Sequence, residues 1–388
     1  MNHTGDEGKE GKVKVVIFGA GLMSRAVAYD LIRQPDVEQV FVVDINRTAL
    51  NQLKRWLRSP KVKTVQADVT DRNLVRLLQA CNVAVSCVPY NYNLKLTKMA
   101  IRANCSFCDL GGNNSVVRKQ LRLNREARRT KITVIPDCGL APGMTNILTA
   151  DGISRLDENE SVRIRVGGLP TRPRPPLFYR LVFSAQGLLN EYAEPCLVLR
   201  QGRVEKVEPL TEPEDVIFPK PFGRLEAFHT SGGSSTLPET FRSRVKELDY
   251  KTIRYRGHRL MFQLIMKRAV GAWQKVPRLK LACALERVLG IETDDVVLLR
   301  IDLRGKKDGR QKLIRYQLID YADSQTGLTA MMRTTGFSAA IVSLMLGRGQ
   351  IKEKGVLPGE RAITSAQFIR ELKPRGLRLK VKSKLLAC

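Results

Sequence analysis

Histidine is scarce in this chain, three among 388 residues, and the two cysteines with metal-like spacing, Cys105 and Cys108, have no second pair to complete a tetrahedral site. That pair also falls in a predicted buried strand, so neither a zinc site nor a redox disulfide is expected and no metal ligand is assigned. Long apolar runs are missing too. The longest, near Phe337 to Leu346, is about half of the roughly 20 residues that span a bilayer, so no membrane insertion is expected. The opening residues, MNHTGDEGKEGK, lack the apolar core of a signal peptide and read as a disordered tail over residues 1–12. Eight scattered cysteines without an export signal imply reduced thiols and a cytoplasmic protein.

Acidic side chains are in deficit. Asp and Glu number 38 against 66 Lys and Arg, a net charge of +28 and a pI near 10.1. Such an excess raises the question of a nucleic-acid or anionic-membrane partner. The basic residues are spread along the whole chain, and no RRM, KH, zinc-finger or basic-zipper signature accompanies them, so the excess reads as solvated surface with no specific nucleic-acid partner. Apolar content of 43% over this length suffices for two domains with substantial cores.

What is present begins with Val13 to Ser24. Val13, Val15, Val16, Ile17 and Phe18 form the near-continuous β-branched run of a parallel strand covered on both faces. Gly19 and Gly21 follow, then an amphipathic helix over about Leu22 to Arg33. The first glycine permits a sharp turn. The second removes a Cβ so that a pyrophosphate can approach the N–H groups of a helix N-terminus, with Leu22 and Met23 beside it. Ser24 stands where the fingerprint has its third Gly or Ala. A second strand, Val40 to Val43, ends in Asp44, placed to accept hydrogen bonds from a ribose and to repel a 2′-phosphate. NAD is therefore favoured, with NADP possible because Arg47 can accommodate the extra phosphate.

Strands and helices then alternate to Pro136. A third strand, Lys63 to Ala67, leads into Asp68, Val69 and an N-capped helix, Asp71 to Gln79, so Asp68 and Val69 are expected beside the adenine. The fourth strand, Val83 to Ser86, places Val88, Pro89 and Asn91 near the nicotinamide. A helix from Tyr92 to Ala103, a strand from Ser106 to Leu110, a basic helix from Val116 to Arg129 and a strand from Thr133 to Ile135 follow. Six strands in strict alternation define an α/β, Rossmann-type doubly wound parallel sheet over residues 13–143. Asp137, in the Gly/Pro loop Pro136 to Asn146, falls where ligands gather in this architecture.

Beyond Leu156 the texture becomes β-rich: Val162 to Val166, Tyr179 to Phe183, Cys196 to Arg200, Arg203 to Val207, Val296 to Leu303 and Leu313 to Tyr321 read as strands, two pairs of them as hairpins. Helices are expected near Met261 to Trp273 and Leu279 to Gly290, and Pro170 to Pro176 and Pro209 to Pro221 as semi-rigid connectors. Residues 144–326 thus form a second, α+β substrate domain. The small and apolar residues from Gly327 predict a long helix that returns, within 327–388, to the first domain.

Four stretches carry a resemblance: Pro136-Asp-Cys-Gly-Leu-Ala-Pro-Gly143, Leu225-Glu-Ala-Phe-His-Thr-Ser-Gly-Gly-Ser-Ser-Thr-Leu-Pro238, Leu248-Asp-Tyr-Lys-Thr-Ile-Arg-Tyr-Arg-Gly-His258 and Thr335-Gly-Phe-Ser-Ala-Ala-Ile-Val342. With them the chain resembles the saccharopine dehydrogenase-like oxidoreductases from about Lys12 to Leu379, most closely the lysine 6-dehydrogenase branch. Cys108, Ser24 and the positive charge depart from that pattern. The resemblance implies a homodimer that moves hydride between a nicotinamide and an amine or imine carbon of a lysine-type amino acid.

That chemistry assigns candidates. A lysine ε-ammonium, with a pKa near 10.4, must lose a proton before its carbon surrenders hydride. Asp137, Lys251 and His258 are the candidate acceptors, left unranked. Arg254 is the candidate for the α-carboxylate, supported by Thr230, Ser234, Ser235 and the Gly232–Gly233 amides, and Asp137 or Glu191 for the α-ammonium. Oxidative deamination of L-lysine to 2-aminoadipate 6-semialdehyde is the leading expectation. Saccharopine formation or cleavage, a carboxynorspermidine-type imine reduction, and a non-catalytic electropositive binding protein are the alternatives. Several arginines around the substrate would favour saccharopine, with its three carboxylates, whereas lysine needs one.

Overall fold

The computed structural model describes residues 12–264 and 278–386. The expected tail, but for its last residue, and the expected helix near Met261 to Trp273 from residue 265 onward lie outside the described residues.

Strands β1 (Val13–Phe18), β2 (Val37–Asp44), β3 (Val62–Gln66), β4 (Val83–Ser86), β5 (Ser106–Asp109) and β6 (Thr133–Ile135) pair in parallel in the order β6-β5-β4-β1-β2-β3. The continuous apolar run of β1 has a simple cause. Val15 and Ile17 belong to the core on one face of the sheet, Val16 and Phe18 to the core on the other, and all four are fully buried. The doubly wound sheet expected from the alternation is the observed one.

The second sheet is mixed. It contains β7 (Glu158–Pro170), β8 (Cys196–Arg200), β9 (Arg203–Val207), β10 (Glu214–Phe218), β11 (Gly223–His229), β12 (Val245–Arg254), β13 (Asp295–Lys307) and β14 (Arg310–Tyr321). The two remaining strands come from the end of the chain: β15 (Gly355–Val356) adds to β6 of the first sheet, and β16 (Lys380–Leu385) adds to β14 of the second. The main path of the second sheet is β10-β11-β12-β7-β13-β14-β16, with β8 and β9 hanging from β12.

Helix Ala330–Gly347 joins the two halves. Its 18 residues are long and apolar enough to cross a bilayer, yet 83% of them are buried within the protein. It lies across helix Leu22–Leu31, and the contact is close because residue 336 is glycine: a Cβ there would fall 2.5 Å from the Cβ of Ala26.

Several elements differ from expectation. Tyr179 to Phe183 is not a strand but an irregular segment with a single bridge, Leu181 to Ile291, followed by helix Ala185–Ala193. The connector Pro209 to Pro221 contains β10. The basic helix is two short helices, Asn114–Leu121 and Asn124–Arg129, and the helix expected from Asp71 starts at Leu74, because Asp71 caps a turn by accepting the N–H of Asn73.

Candidate active site

The carboxyl ends of β1 and β2 build the first part of the site. Gly19 has φ +102°, and a Cβ on it would press on the Cys87 carbonyl at 3.1 Å, so only glycine makes this turn without strain. Gly21 is different. Its φ of −80° suits any residue, but a Cβ there would meet nothing within 4 Å, and no side chain caps the helix that follows. The open space lies in front of the first free N–H groups of helix Leu22–Leu31, a fit for the diphosphate of a dinucleotide.

Asp44 closes the same edge. Its Oδ2 accepts the Ala20 N–H and its Oδ1 the Asn46 N–H, both at 2.7 Å, leaving each oxygen a lone pair for a ribose hydroxyl. Arg47 is exposed at the start of the next helix. Asp68 accepts the Thr70 N–H at 2.7 Å, Val69 is buried beside it, and Asn91 is exposed in the turn after β4.

From Leu22 and Met23 a cavity of about 430 Å³ runs past Val88 and Pro89, along the Gly111–Gly112 backbone and into the second domain. There it meets Ser231, Gly232, Gly233, Tyr250, Thr252 and Arg254. A Cβ on Gly233 would strike the Tyr250 ring at 2.2 Å, while the Gly232 position faces open space, so the two glycines let the loop close against the tyrosine and leave room for a ligand. Among the described residues the wall carries one cationic side chain, Arg254, and two carboxylates, Glu191 and Glu286.

Arg254 ends β12 and is 1% exposed. Its Nε–H donates to the Tyr192 hydroxyl at 3.0 Å, its Nη1 to the Ile253 carbonyl at 3.0 Å, and the Tyr179 ring lies 4.5 Å beneath the guanidinium. Its Nη2 stands 3.9 Å from Glu191 Oε2, beyond hydrogen-bond length. Glu191 is near the end of helix Ala185–Ala193, and its main-chain carbonyl accepts the Ser231 N–H at 2.8 Å, tying that helix to the Ser/Gly loop. Burial pushes its carboxyl up to about 7, against the opposing pull of Arg254.

The structure does not bring the other candidates to this wall. Lys251 is on the opposite face of β12, because successive side chains of a strand alternate, and it lines a separate cavity of about 230 Å³. There it donates to the Glu212 carbonyl at 2.8 Å and to Glu214 at 3.2 Å. His258 lies behind Arg254 with both ring nitrogens engaged, by Leu177 at 2.8 Å and Tyr192 at 3.0 Å. Burial, aided by the charge of Arg254, pushes it down to about 3, so it stays neutral. Thr230 bonds Thr252 at 2.6 Å and Ser234 donates to the Leu197 carbonyl at 3.0 Å, each behind the wall. Ser235 donates to Asp137, linking the second domain to the first.

Asp137 has φ +61°, and its Oδ1, without a hydrogen-bond partner, occupies the volume a Cβ on Gly111 would need. Burial, reinforced by the neighbouring Asp109 carboxylate, pushes Asp137 up to about 8. It therefore holds a proton at neutral pH and supports the glycine loop from beneath instead of facing the cavity.

Sequence reasoning missed Glu286, Tyr250, Thr252 and Ser231. Tyr250 and Thr252 precede Arg254 by four and two residues, a spacing that places all three on one strand face.

Parallel sheet, open helix N-terminus and adjoining pocket together define a two-domain dinucleotide-binding protein. Residues 15–135 match the saccharopine dehydrogenase NADP binding domain and residues 139–377 the saccharopine dehydrogenase C-terminal domain. The chain belongs to the saccharopine dehydrogenase family, and NAD(P) is its cofactor class. It is similar to saccharopine dehydrogenase (NADP(+), L-glutamate-forming) of Saccharomyces cerevisiae, 26% identical over 201 residues, 50% of this chain and 43% of that protein. It is also similar to mitochondrial alpha-aminoadipic semialdehyde synthase of Rattus norvegicus, 24% identical over 204 residues, 50% of this chain and 21% of that protein. The matched segments thus span less than half the length of these relatives. Apo saccharopine dehydrogenase (L-Glu forming) from Saccharomyces cerevisiae has the same fold, with a TM-score of 0.77 and 21% identity over 97% of this chain and 100% of that one.

Proposed function

We propose that this chain is an NAD(P)-dependent dehydrogenase that takes hydride from the carbon bearing the side-chain amine of L-lysine, or a close basic amino acid, to give an imine that water hydrolyses to the semialdehyde and ammonia. One observation carries the reading: among the described residues the cavity wall sets one arginine against two glutamates. Lysine brings one carboxylate and two ammonium groups, the complement of that set, whereas saccharopine brings three carboxylates and would leave acids facing acids. The α-carboxylate takes the free edge of the Arg254 guanidinium. The α-ammonium takes Glu191, and the 3.9 Å between Nη2 and Oε2 suits two groups carried by one α-carbon. The bound nicotinamide supplies the hydride acceptor. Gly21 and the helix N-terminus would hold the diphosphate of that dinucleotide, and Val88 and Pro89 line the cavity where its nicotinamide would lie.

The names of the relatives support a second reading, saccharopine formation or cleavage. The discriminating experiment is NAD(P) reduction by the full chain with L-lysine, L-ornithine, 1,5-diaminopentane and saccharopine in parallel. Turnover of lysine well above the diamine, which lacks the carboxylate for Arg254, is expected. Turnover of saccharopine without any basic amino acid would replace the first reading by the second.

A further inference from the structure

We infer that Tyr192 and His258 are positioning residues for Arg254: a buried relay that holds its guanidinium away from Glu191 and so keeps the carboxylate-binding edge free. The inference rests on the assignment of Arg254 to the substrate α-carboxylate.

A guanidinium has five N–H donors, and burying one obliges the protein to supply acceptors. Nε and Nη1 are engaged by Tyr192 and the Ile253 carbonyl, and the nearest acid, Glu191, is left at 3.9 Å from Nη2. The Tyr192 oxygen accepts from Arg254, so its own hydrogen must go elsewhere. His258 Nε2, at 3.0 Å, is the available acceptor. The direction is fixed from the far end: a carbonyl can only accept, so His258 Nδ1 carries the hydrogen it donates to Leu177 at 2.8 Å. In a neutral imidazole Nε2 is then bare. Donation runs one way, Arg254 to Tyr192 to His258 to Leu177.

Aromatic packing holds the relay still. Phe262 stands edge-on to Tyr192 at 4.6 Å between centroids, and the Tyr179 ring packs edge-on against His258 at 5.3 Å. Around Glu191, burial keeps the phenols of Tyr179, Tyr192 and Tyr250 and the thiol of Cys196 protonated, which among the described residues leaves Arg254 as the charged neighbour that faces it. Without Tyr192 the guanidinium is free to close the remaining gap to Glu191, and the pair would then occupy both substrate-binding groups with each other.

The test compares the full-length enzyme with Tyr192→Phe, His258→Leu and His258→Gln in steady-state kinetics with L-lysine. Norleucine, which keeps the α-amino acid head and lacks the side-chain amine, is the competitive inhibitor. Tyr192→Phe should raise the norleucine inhibition constant and the lysine KM by about tenfold or more, the size of a lost charge-assisted hydrogen bond, with the cofactor KM unmoved. The pH at which norleucine binding sets in should also fall, since a closer Arg254 favours ionised Glu191. His258→Leu should behave alike, and His258→Gln, which offers an acceptor at the depth of Nε2, should recover most of the loss. Should Tyr192→Phe not fold, the two His258 variants make the same comparison. An unchanged norleucine constant, or a cofactor KM that rises in parallel, overturns the relay while lysine turnover by the wild type leaves the parent reading standing. A wild type that neither turns over lysine nor binds norleucine overturns both.

Discussion

Lys251 and Thr252 are consecutive residues of β12 that open onto different cavities, Thr252 on the large one beside Arg254 and Lys251 on the small charged one across the sheet. Lys251 is therefore a structural cation, paired with Glu214 at 3.2 Å. Lys251→Met should leave kcat/KM for lysine within about twofold while lowering unfolding stability by about 1–3 kcal/mol, the worth of the two hydrogen bonds its ammonium makes, since half-buried Glu214 keeps its pairing with Arg165. Urea unfolding and steady-state kinetics on one preparation check both halves.

The two glycines of the first turn should fail differently. Gly21→Val adds a side chain into open space, so the melting temperature should hold while calorimetry shows NAD(P) affinity reduced by about a hundredfold or more. Gly19→Ala forces a Cβ onto the Cys87 carbonyl at φ +102° and should lower the melting temperature itself.

Substrate binding should follow the ionisation of Glu191. Its carboxyl, pushed up to about 7 by burial, is neutral below that pH and cannot hold an ammonium. The KM for lysine should fall as pH rises through about 7, and Glu191→Gln should give a high, flat profile over the same range. Arg254→Lys should raise that KM by about tenfold or more, since a point charge replaces a planar fork. A Glu191→Gln profile that still bends near pH 7 would assign the titration elsewhere.

Asp137 should make the protein less stable in alkali. Burial pushes its carboxyl up to about 8, well above the ordinary carboxylate range that it regains on unfolding, so between those limits the folded state holds a proton that the unfolded state has lost. The unfolded chain then binds fewer protons, and stability declines with rising pH across that window. Asp137→Asn, which cannot titrate, should flatten this part of the slope. Melting temperatures of the two proteins over about pH 5 to 9 at fixed ionic strength measure it.

Asp44 should govern the choice of dinucleotide. Asp44→Ala removes the carboxylate that would repel a 2′-phosphate, with Arg47 exposed nearby, and the NAD/NADP ratio of kcat/KM should shift toward NADP. The same change takes an acceptor from the Ala20 N–H, so some loss of affinity for both dinucleotides is expected.

Strands β1, β4 and β6 of the first sheet were legible as short apolar runs, and the turns between its first six strands carry their own chemistry, from Gly19 to the Asn113 cap of helix Asn114–Leu121, whereas two-residue Gly355–Val356 is too short to give a signal. In the second sheet the signals cancel. Pro213 and Pro219 flank β10 closely enough to hide it inside a connector, and the aromatic, branched segment Tyr179 to Phe183 reads as a strand although its side chains fill a satellite core. In the site, Arg254 and Glu191, expected from the needs of a lysine-type substrate, both line the cavity. Lys251 was misleading because residues three apart on a strand face opposite ways, and Glu286 gave no signal because it reaches the cavity from helix Arg278–Leu289, far along the chain.

The cofactor sheet receives its outermost strand, Gly355–Val356, and the covering helix Ala330–Gly347 only after the whole second domain has intervened. During synthesis the ribosome thus delivers the dinucleotide groove early and its shield late. Until Gly336 settles on Ala26, the nascent first domain has an uncovered oily flank, a surface for chaperones to guard, and a chain halted before Gly327 would keep it for life.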